Sequence, residues 1–292
     1  MLAYEPSPFD PASIPFDRLG VDRRLLQGIR DLGWSETRPV QSGVIPFALD
    51  GRDVIASAET GTGKTAAFLV PILQQFLVEG ADSPKADPAP PTLEQPAKAE
   101  LAAPKPAEQA KAGTRALILA PTRELVVQIE DQVQGLTYHT GISSVAVYGG
   151  VPMDPQERAL RAGVDIIVAT PGRLMDHMRH SSTDFAGLEV LVLDEADRML
   201  DMGFWPDVQR ILAAIPHARQ TLLFSATMPA EVLKLTREFL RNPVYVQVGR
   251  RGGPAQTISH AAHTVPVREK VEWLARWLRF EATGSVLVFC RT

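Results

Sequence analysis

The chain has 292 residues, 45% of them hydrophobic and 22% charged, with a formal net charge of −4. Such a composition suits a globular protein of one large or two ordinary domains, and it excludes a global basic coat, so any nucleic-acid site must be a local groove. The single Cys290 excludes an internal disulfide framework.

In chain order, residues 1–15 are proline-rich and read as a loose segment ending at Phe16. Arg23 to Leu32 reads as a helix with Leu25, Leu26, Ile29 and Leu32 on one side. Gly33-Trp34 makes a turn, Pro39-Val40-Gln41 opens a second apolar helix running toward Leu49, and Asp50-Gly51 ends it. Asp53 to Ser57 is a short buried strand. The loop Ala58-Glu59-Thr60-Gly61-Thr62-Gly63-Lys64-Thr65 follows, and then a helix carrying Phe68, Leu69, Ile72, Leu73, Phe76 and Leu77. Residues 80–113 are half alanine and proline with scattered Lys and Glu, which predicts a disordered surface insertion. Beyond it, strands and helices alternate. Strands are expected at Arg115 to Ala120, Ser143 to Val147, Asp165 to Ala169, Val190 to Leu193, Thr221 to Phe224 and Val244 to Val248. Helices are expected at Glu124 to Gln134, after Arg173, and from Thr227 through Leu240. Repeated βα units predict an α/β fold with a mainly parallel sheet and helices on both faces. Ligands bind such sheets at the carboxyl ends of the strands, where every polar cluster of this chain falls.

Strand, glycine loop, Lys-Thr and helix form the context of a phosphate-binding loop. The glycines let successive N–H groups curl around an anion at a helix N-terminus. Lys64 is placed to reach the β- and γ-phosphates and Thr65 to put its hydroxyl on Mg²⁺. Ala58 stands where the first glycine of that pattern is usual. Asp194-Glu195 follows four consecutive apolar strand residues, as the second motif of a nucleotide site does. Asp194 suits Mg²⁺ coordination, and Glu195 suits orientation and deprotonation of an attacking water.

Ala58 to Thr65, Pro121-Thr122-Arg123-Glu124-Leu125, Gly149-Gly150, Thr170-Pro171-Gly172-Arg173, Asp194-Glu195-Ala196-Asp197 and Ser225-Ala226-Thr227 occur in one order and spacing. Together they resemble the motifs of DEAD-box RNA helicases, whose ATP-binding domain is a RecA-like P-loop fold. The resemblance covers the chain outside its first residues and residues 80–113. It implies an ATP-dependent RNA helicase using ATP and Mg²⁺. Gln41 would then read the adenine edge, within a segment that also holds Trp34 and Arg38, and Phe16 would pack on the base. Thr37-Arg38 departs from the Pro-Thr usual there. Pro121, Thr122, Arg123, Glu124, Gly149, Gly150, Thr170, Pro171, Gly172 and Arg173 would touch the RNA backbone without regard to sequence. Ser225 and Thr227 would couple the ATP site to strand separation, with Asp197 as their partner. Other readings are an RNA-binding module without catalysis, opposed by the intact Lys64, Asp194 and Glu195, and a DNA translocase, opposed by Gln41 and Ser-Ala-Thr. The six histidines show no metal-ligand spacing.

Toward the end, Gly252-Gly253-Pro254 reads as a linker over residues 250–257. Ile258 to Val265 and Ser285 to Cys290 read as strands around an amphipathic helix from Arg268 to Phe280. Residues 258–292 resemble the opening of the family's second RecA-like domain, and about 35 residues cannot bury a core of their own. The expectation is a domain spanning 16–249 plus a truncated second. The missing remainder would be its partner for RNA clamping, so that the chain alone binds ATP weakly and does not unwind. No run approaches the roughly 20 apolar residues of a membrane span, and the N-terminus lacks a signal-peptide pattern. The expected state is a cytoplasmic monomer.

Overall fold

A computed structural model describes residues 5–79, 113–180, 182–249, 259 and 261–290. It divides into two compact units, Met1–Gly249 and Arg250–Thr292.

The first unit is built on seven strands: β1 (Val54–Ser57), β2 (Ala116–Leu119), β3 (Ser144–Val147), β4 (Ile166–Ala169), β5 (Val190–Leu193), β6 (Gln220–Ser225) and β7 (Val244–Gln247). All pairings are parallel, in the order β3-β4-β2-β5-β6-β1-β7. The alternation of side chains along each strand divides the core in two. On one face Val54, Ala56, Ile118, Val168, Val192 and Phe224 meet the buried sides of α1 (Arg23–Asp31), α2 (Pro39–Leu49), α3 (Lys64–Glu79) and α4 (Arg123–Thr137). On the other, Ile55, Leu117, Ile167, Leu191, Leu223 and Tyr245 meet α5 (Met153–Ala162), α6 (Pro171–Arg179), α7 (Ala196–Asp201), α8 (Trp205–Ala214) and α9 (Ala230–Thr236). Strands buried on both faces must be apolar throughout, which is why β2, β4 and β5 are uninterrupted hydrophobic runs. α1 lies so close to α4 that a Cβ on Gly28 would sit 2.5 Å from the Leu136 carbonyl oxygen.

Several expectations need correction. Helices α5, α7 and α8 lie beyond the sequence expectation: α5 buries only Gln156 and Leu160, and α7 spans six residues, so neither has a long apolar stripe. α9 stops at Thr236 rather than Leu240. Residues 7–15, expected to be loose, are tied down. Ser7 N–H donates to the Tyr245 carbonyl at 2.7 Å, Ile14 N–H to Thr37 Oγ1 at 2.8 Å, and Phe9 packs on the core. The insertion expected at 80–113 lies outside the described residues except for Gly113, as do the linker residues 250–257.

The second unit holds α10 (Lys270–Phe280) after a 3-10 turn, Val267–Glu269. No residue of α10 is buried. The strands expected at Ile258 to Val265 and Ser285 to Cys290 are not formed among the described residues of those stretches. A strand persists only when a neighbour accepts and donates its backbone hydrogen bonds.

Candidate nucleotide-binding site

The carboxyl ends of β1 and β5 open into a cavity of about 520 Å³. The glycine loop lines it with Thr60, Gly61, Gly63, Lys64 and Thr65, β5 with Asp194 and Glu195, and the upstream segment with Phe16, Trp34, Arg38 and Gln41. These distant stretches were each singled out from the sequence, and the fold brings them together. Ala58, Glu59 and Thr62 do not line the cavity but build the loop. Ala58 N–H donates to the Ser225 carbonyl at 3.1 Å, and Thr62 Oγ1 to the Glu59 carbonyl at 2.7 Å.

Gln41 holds the loop closed. Its Nε2 donates to the Gly63 carbonyl at 3.0 Å and its Oε1 accepts from Arg38 N–H at 2.8 Å. Arg38 itself donates to the Gly61 carbonyl at 2.7 Å. Gly63 has φ +94°, and a Cβ there would fall 2.4 Å from Gln41 Nε2, so only glycine fits. Phe16 is 2% exposed and lies 6.4 Å from the Trp34 ring, forming an aromatic wall beside the cavity.

Two buried residues, Lys64 and Asp194, interact electrostatically. Lys64 Nζ is buried and has no hydrogen-bond partner among the described residues. Burial pushes the Asp194 carboxyl up to about 6; the Lys64 cation offsets part of this, while Glu195 adds to it. An orphaned buried ammonium at a helix N-terminus favours an anionic ligand. The donor set fits Mg²⁺–nucleotide: hard oxygens on Thr65 and Asp194, a cation on Lys64, and a glycine cradle that a side chain would fill.

Glu195 has φ 52° and ψ 51°, left-handed geometry that costs a non-glycine residue about 1–3 kcal/mol and that clusters at functional sites. Its Oε2 accepts from Arg198 at 3.1 Å. Asp197, Ser225 and Thr227 are in contact. Asp197 Oδ2 accepts from Thr227 N–H at 2.8 Å and from Thr227 Oγ1 at 2.7 Å, and Asp197 N–H donates to Ser225 Oγ at 3.1 Å. Burial pushes the Asp197 carboxyl up, but these hydrogen bonds outweigh it and leave it below the ordinary carboxylate value. Since the Ser225 carbonyl also holds Ala58, one strand end touches both the acidic motif and the phosphate loop.

The residues expected at RNA lie at the ends of β2, β3 and β4. Thr122 caps α4, its Oγ1 accepting from Leu125 N–H at 3.3 Å; Pro121 is buried, and Glu124 is exposed in the first turn. Thr170 and Pro171 are buried at the start of α6, with Gly172 half-buried beside them. Arg123 donates to the Gly149 carbonyl at 3.1 Å and Arg173 to the Val151 carbonyl at 2.8 Å. Both guanidinium groups thus grip the Gly149-Gly150 turn, although each keeps further N–H groups to donate. The cavity also takes Leu125, Gln128 and Gln132, which the sequence reading did not assign to it. Their spacing along one stripe of α4 was the available signal.

The family described as DEAD/DEAH box helicase matches residues 38–235. The chain is 41% identical over 278 residues to the ATP-dependent RNA helicase DeaD of Escherichia coli (strain K12), covering 95% of this chain and 39% of that protein. It is 42% identical over 270 residues to DEAD-box ATP-dependent RNA helicase 30 of Arabidopsis thaliana, covering 92% of this chain and 41% of that protein. It also superposes on the crystal structure of a DEAD box protein from the hyperthermophile Methanococcus jannaschii with a TM-score of 0.66 at 30% identity, covering 92% of this chain and 64% of that one. The chain spans about two fifths of the length of these curated relatives.

Proposed function

This chain belongs to the DEAD/DEAH box helicase family, and from that premise we propose that it is the ATP-binding and RNA-gripping part of an ATP-dependent RNA helicase. One observation carries the reading: a buried Lys64 Nζ with no hydrogen-bond partner among the described residues interacts with a buried Asp194 whose carboxyl is pushed up to about 6. Both groups are costly as they stand, and a magnesium–triphosphate would relieve both at once. Lys64 and the loop N–H groups would hold the phosphates, Thr65 and Asp194 would hold Mg²⁺, and Gln41 with Phe16 would admit adenine. Bound Mg²⁺ would neutralise charge developing on the phosphates. Glu195 orients and deprotonates the attacking water, its left-handed backbone setting the direction of the side chain.

The Asp197–Thr227 bonds, together with the Ser225 carbonyl on Ala58, support a role for Ser225 and Thr227 in transmitting the nucleotide state. The ends of β2, β3 and β4 offer small residues and two arginines for a sugar-phosphate backbone, which supports sequence-independent RNA binding. In sequence, residues 258–292 resemble the opening of a second RecA-like domain, the expected partner for RNA clamping. The 292-residue polypeptide alone is expected to be a monomer that binds ATP weakly, hydrolyses it very slowly and unwinds nothing. We place the protein in the cytoplasm, where its free, exposed Cys290 suits a reducing environment.

The test is binding of a fluorescent ATP analogue and of single-stranded RNA by this chain, with hydrolysis measured beside Glu195→Gln. Expected are Mg²⁺-dependent ATP binding that is lost in Lys64→Met and kept in Glu195→Gln, with very slow turnover by the parent chain. A chain that binds Mg²⁺–ATP equally well after Lys64→Met would refute the assignment.

A further inference from the structure

The turn that follows β3 is clamped at three carbonyl oxygens from three different helices. Arg123 of α4 holds Gly149, Arg173 of α6 holds Val151, and Gln156 of α5 donates its Nε2 to the Tyr148 carbonyl at 3.1 Å. Gln156 differs from the two arginines in being 6% exposed and in having a buried partner of its own. Its Oε1 lies 3.3 Å from Nε2 of His177, which is fully buried on α6. A carbonyl can only accept, so the amide nitrogen is the atom on Tyr148 and the amide oxygen the atom facing His177. The imidazole Nε2 therefore carries the hydrogen, and Nδ1, which has no partner among the described residues, carries the lone pair. Burial, reinforced by the nearby Arg173 charge, pushes the His177 ring below its ordinary value and keeps this neutral tautomer.

We propose that Gln156 and His177 are positioning residues for RNA binding, a buried amide–imidazole pair that fixes the Tyr148–Val151 turn in the shape that accepts a phosphate backbone. The inference rests on the RNA-binding reading above. Free carbonyl oxygens repel a phosphate; in this turn three are already engaged, two of them by cations. The Arg123 guanidinium lies against the backbone of Gly150, at φ +82°, where a Cβ would collide with it. His177 orients the amide, the amide orients Tyr148, and the two arginines complete the clamp. Neither Gln156 nor His177 lines the nucleotide cavity, so their effect on RNA is separable from ATP.

The experiment compares Gln156→Leu, His177→Leu and His177→Gln with the parent chain, using anisotropy of a short fluorescein-labelled oligouridine and of a fluorescent ATP analogue. Gln156→Leu loses about tenfold in RNA affinity, as loss of one buried hydrogen bond predicts, and His177→Leu loses several-fold. His177→Gln, which keeps an N–H near the Nε2 position, retains parental RNA affinity, and ATP affinity is unchanged throughout. Conformational exchange at the Gly149 and Gly150 amides, read as NMR line broadening, increases in the two Leu variants. Parental RNA affinity in Gln156→Leu, parallel loss of ATP and RNA affinity, or unchanged exchange in the turn would each overturn the proposal. A parent chain that binds ATP but no RNA would instead sink the helicase reading, and the exchange measurement would still judge the clamp.

Discussion

Replacing Asp194 with asparagine should stabilise the nucleotide-free protein while destroying its response to Mg²⁺–ATP. The side chain is 2% exposed, and burial raises its carboxyl from an ordinary 3.8 to about 6 despite the Lys64 cation. Folding therefore favours the protonated form. That contribution is complete below about pH 3.8 and is lost as the pH rises through about 6. A gap of roughly two pH units at about 1.4 kcal/mol each makes the ionised carboxylate cost on the order of 3 kcal/mol at pH 7. An asparagine in this place would keep the Oδ1 that accepts from Glu195 N–H at 2.9 Å, so the substitution removes the charge and spares the hydrogen bond. Urea denaturation at pH 4, 5.5, 7 and 8 reads the effect. The Asp194→Asn advantage should be about 0.5 kcal/mol near pH 4, rise to about 3 at pH 7, and level off above. Added Mg²⁺–ATP should raise the midpoint of the parent and not that of the variant. An advantage independent of pH, or a variant less stable than the parent at pH 7, would refute the reasoning that a buried charge is being stored for the metal.

Gly63→Ala should lower ATP affinity at least tenfold, since its Cβ would meet Gln41 Nε2 at 2.4 Å in a backbone region that alanine avoids; a fluorescent ATP titration measures it. Gln41→Leu removes two hydrogen bonds, to the Gly63 carbonyl and from Arg38 N–H, and should cost about 2 kcal/mol of stability by urea melt while weakening discrimination of ATP from GTP. Thr227→Val removes the Oγ1 donor to Asp197 and should cost about 1 kcal/mol near neutral pH. Because Asp197 lies below its ordinary value in the fold, its contribution is present at neutral pH and lost as the pH falls; the variant should therefore converge on the parent in acid, as pH-dependent melts would show.

The proposed nucleotide site and the proposed RNA grip share β-strand ends but use different physics. At the first, Lys64 Nζ has no hydrogen-bond partner among the described residues, Asp194 is a buried carboxyl and Glu195 has a strained backbone. At the second, Arg123 and Arg173 are already engaged with carbonyl oxygens, so RNA would meet a turn that is set in advance rather than free cations.

What the linear chain determined was local and contiguous. The loop Ala58 to Thr65, the apolar runs of β2, β4 and β5, and the acidic pair after β5 each lie within a few residues, where strand, turn and helix preferences are written directly. The clustering of polar motifs at strand ends was legible too, because a parallel sheet gathers them on one edge. Tertiary structure alone decided the strand order, since parallel pairing leaves no local signature. It likewise decided where the Gln41 amide is spent, because Gly63 lies 22 residues on and nothing local couples them. It set the left-handed backbone of Glu195, the Gln156 partner of His177, and the absence of strands at Ser285 to Cys290, whose apolar pattern has no neighbour to pair with among the described residues. Sequence records what each segment prefers; burial, charge and hydrogen-bond partners exist only once segments meet.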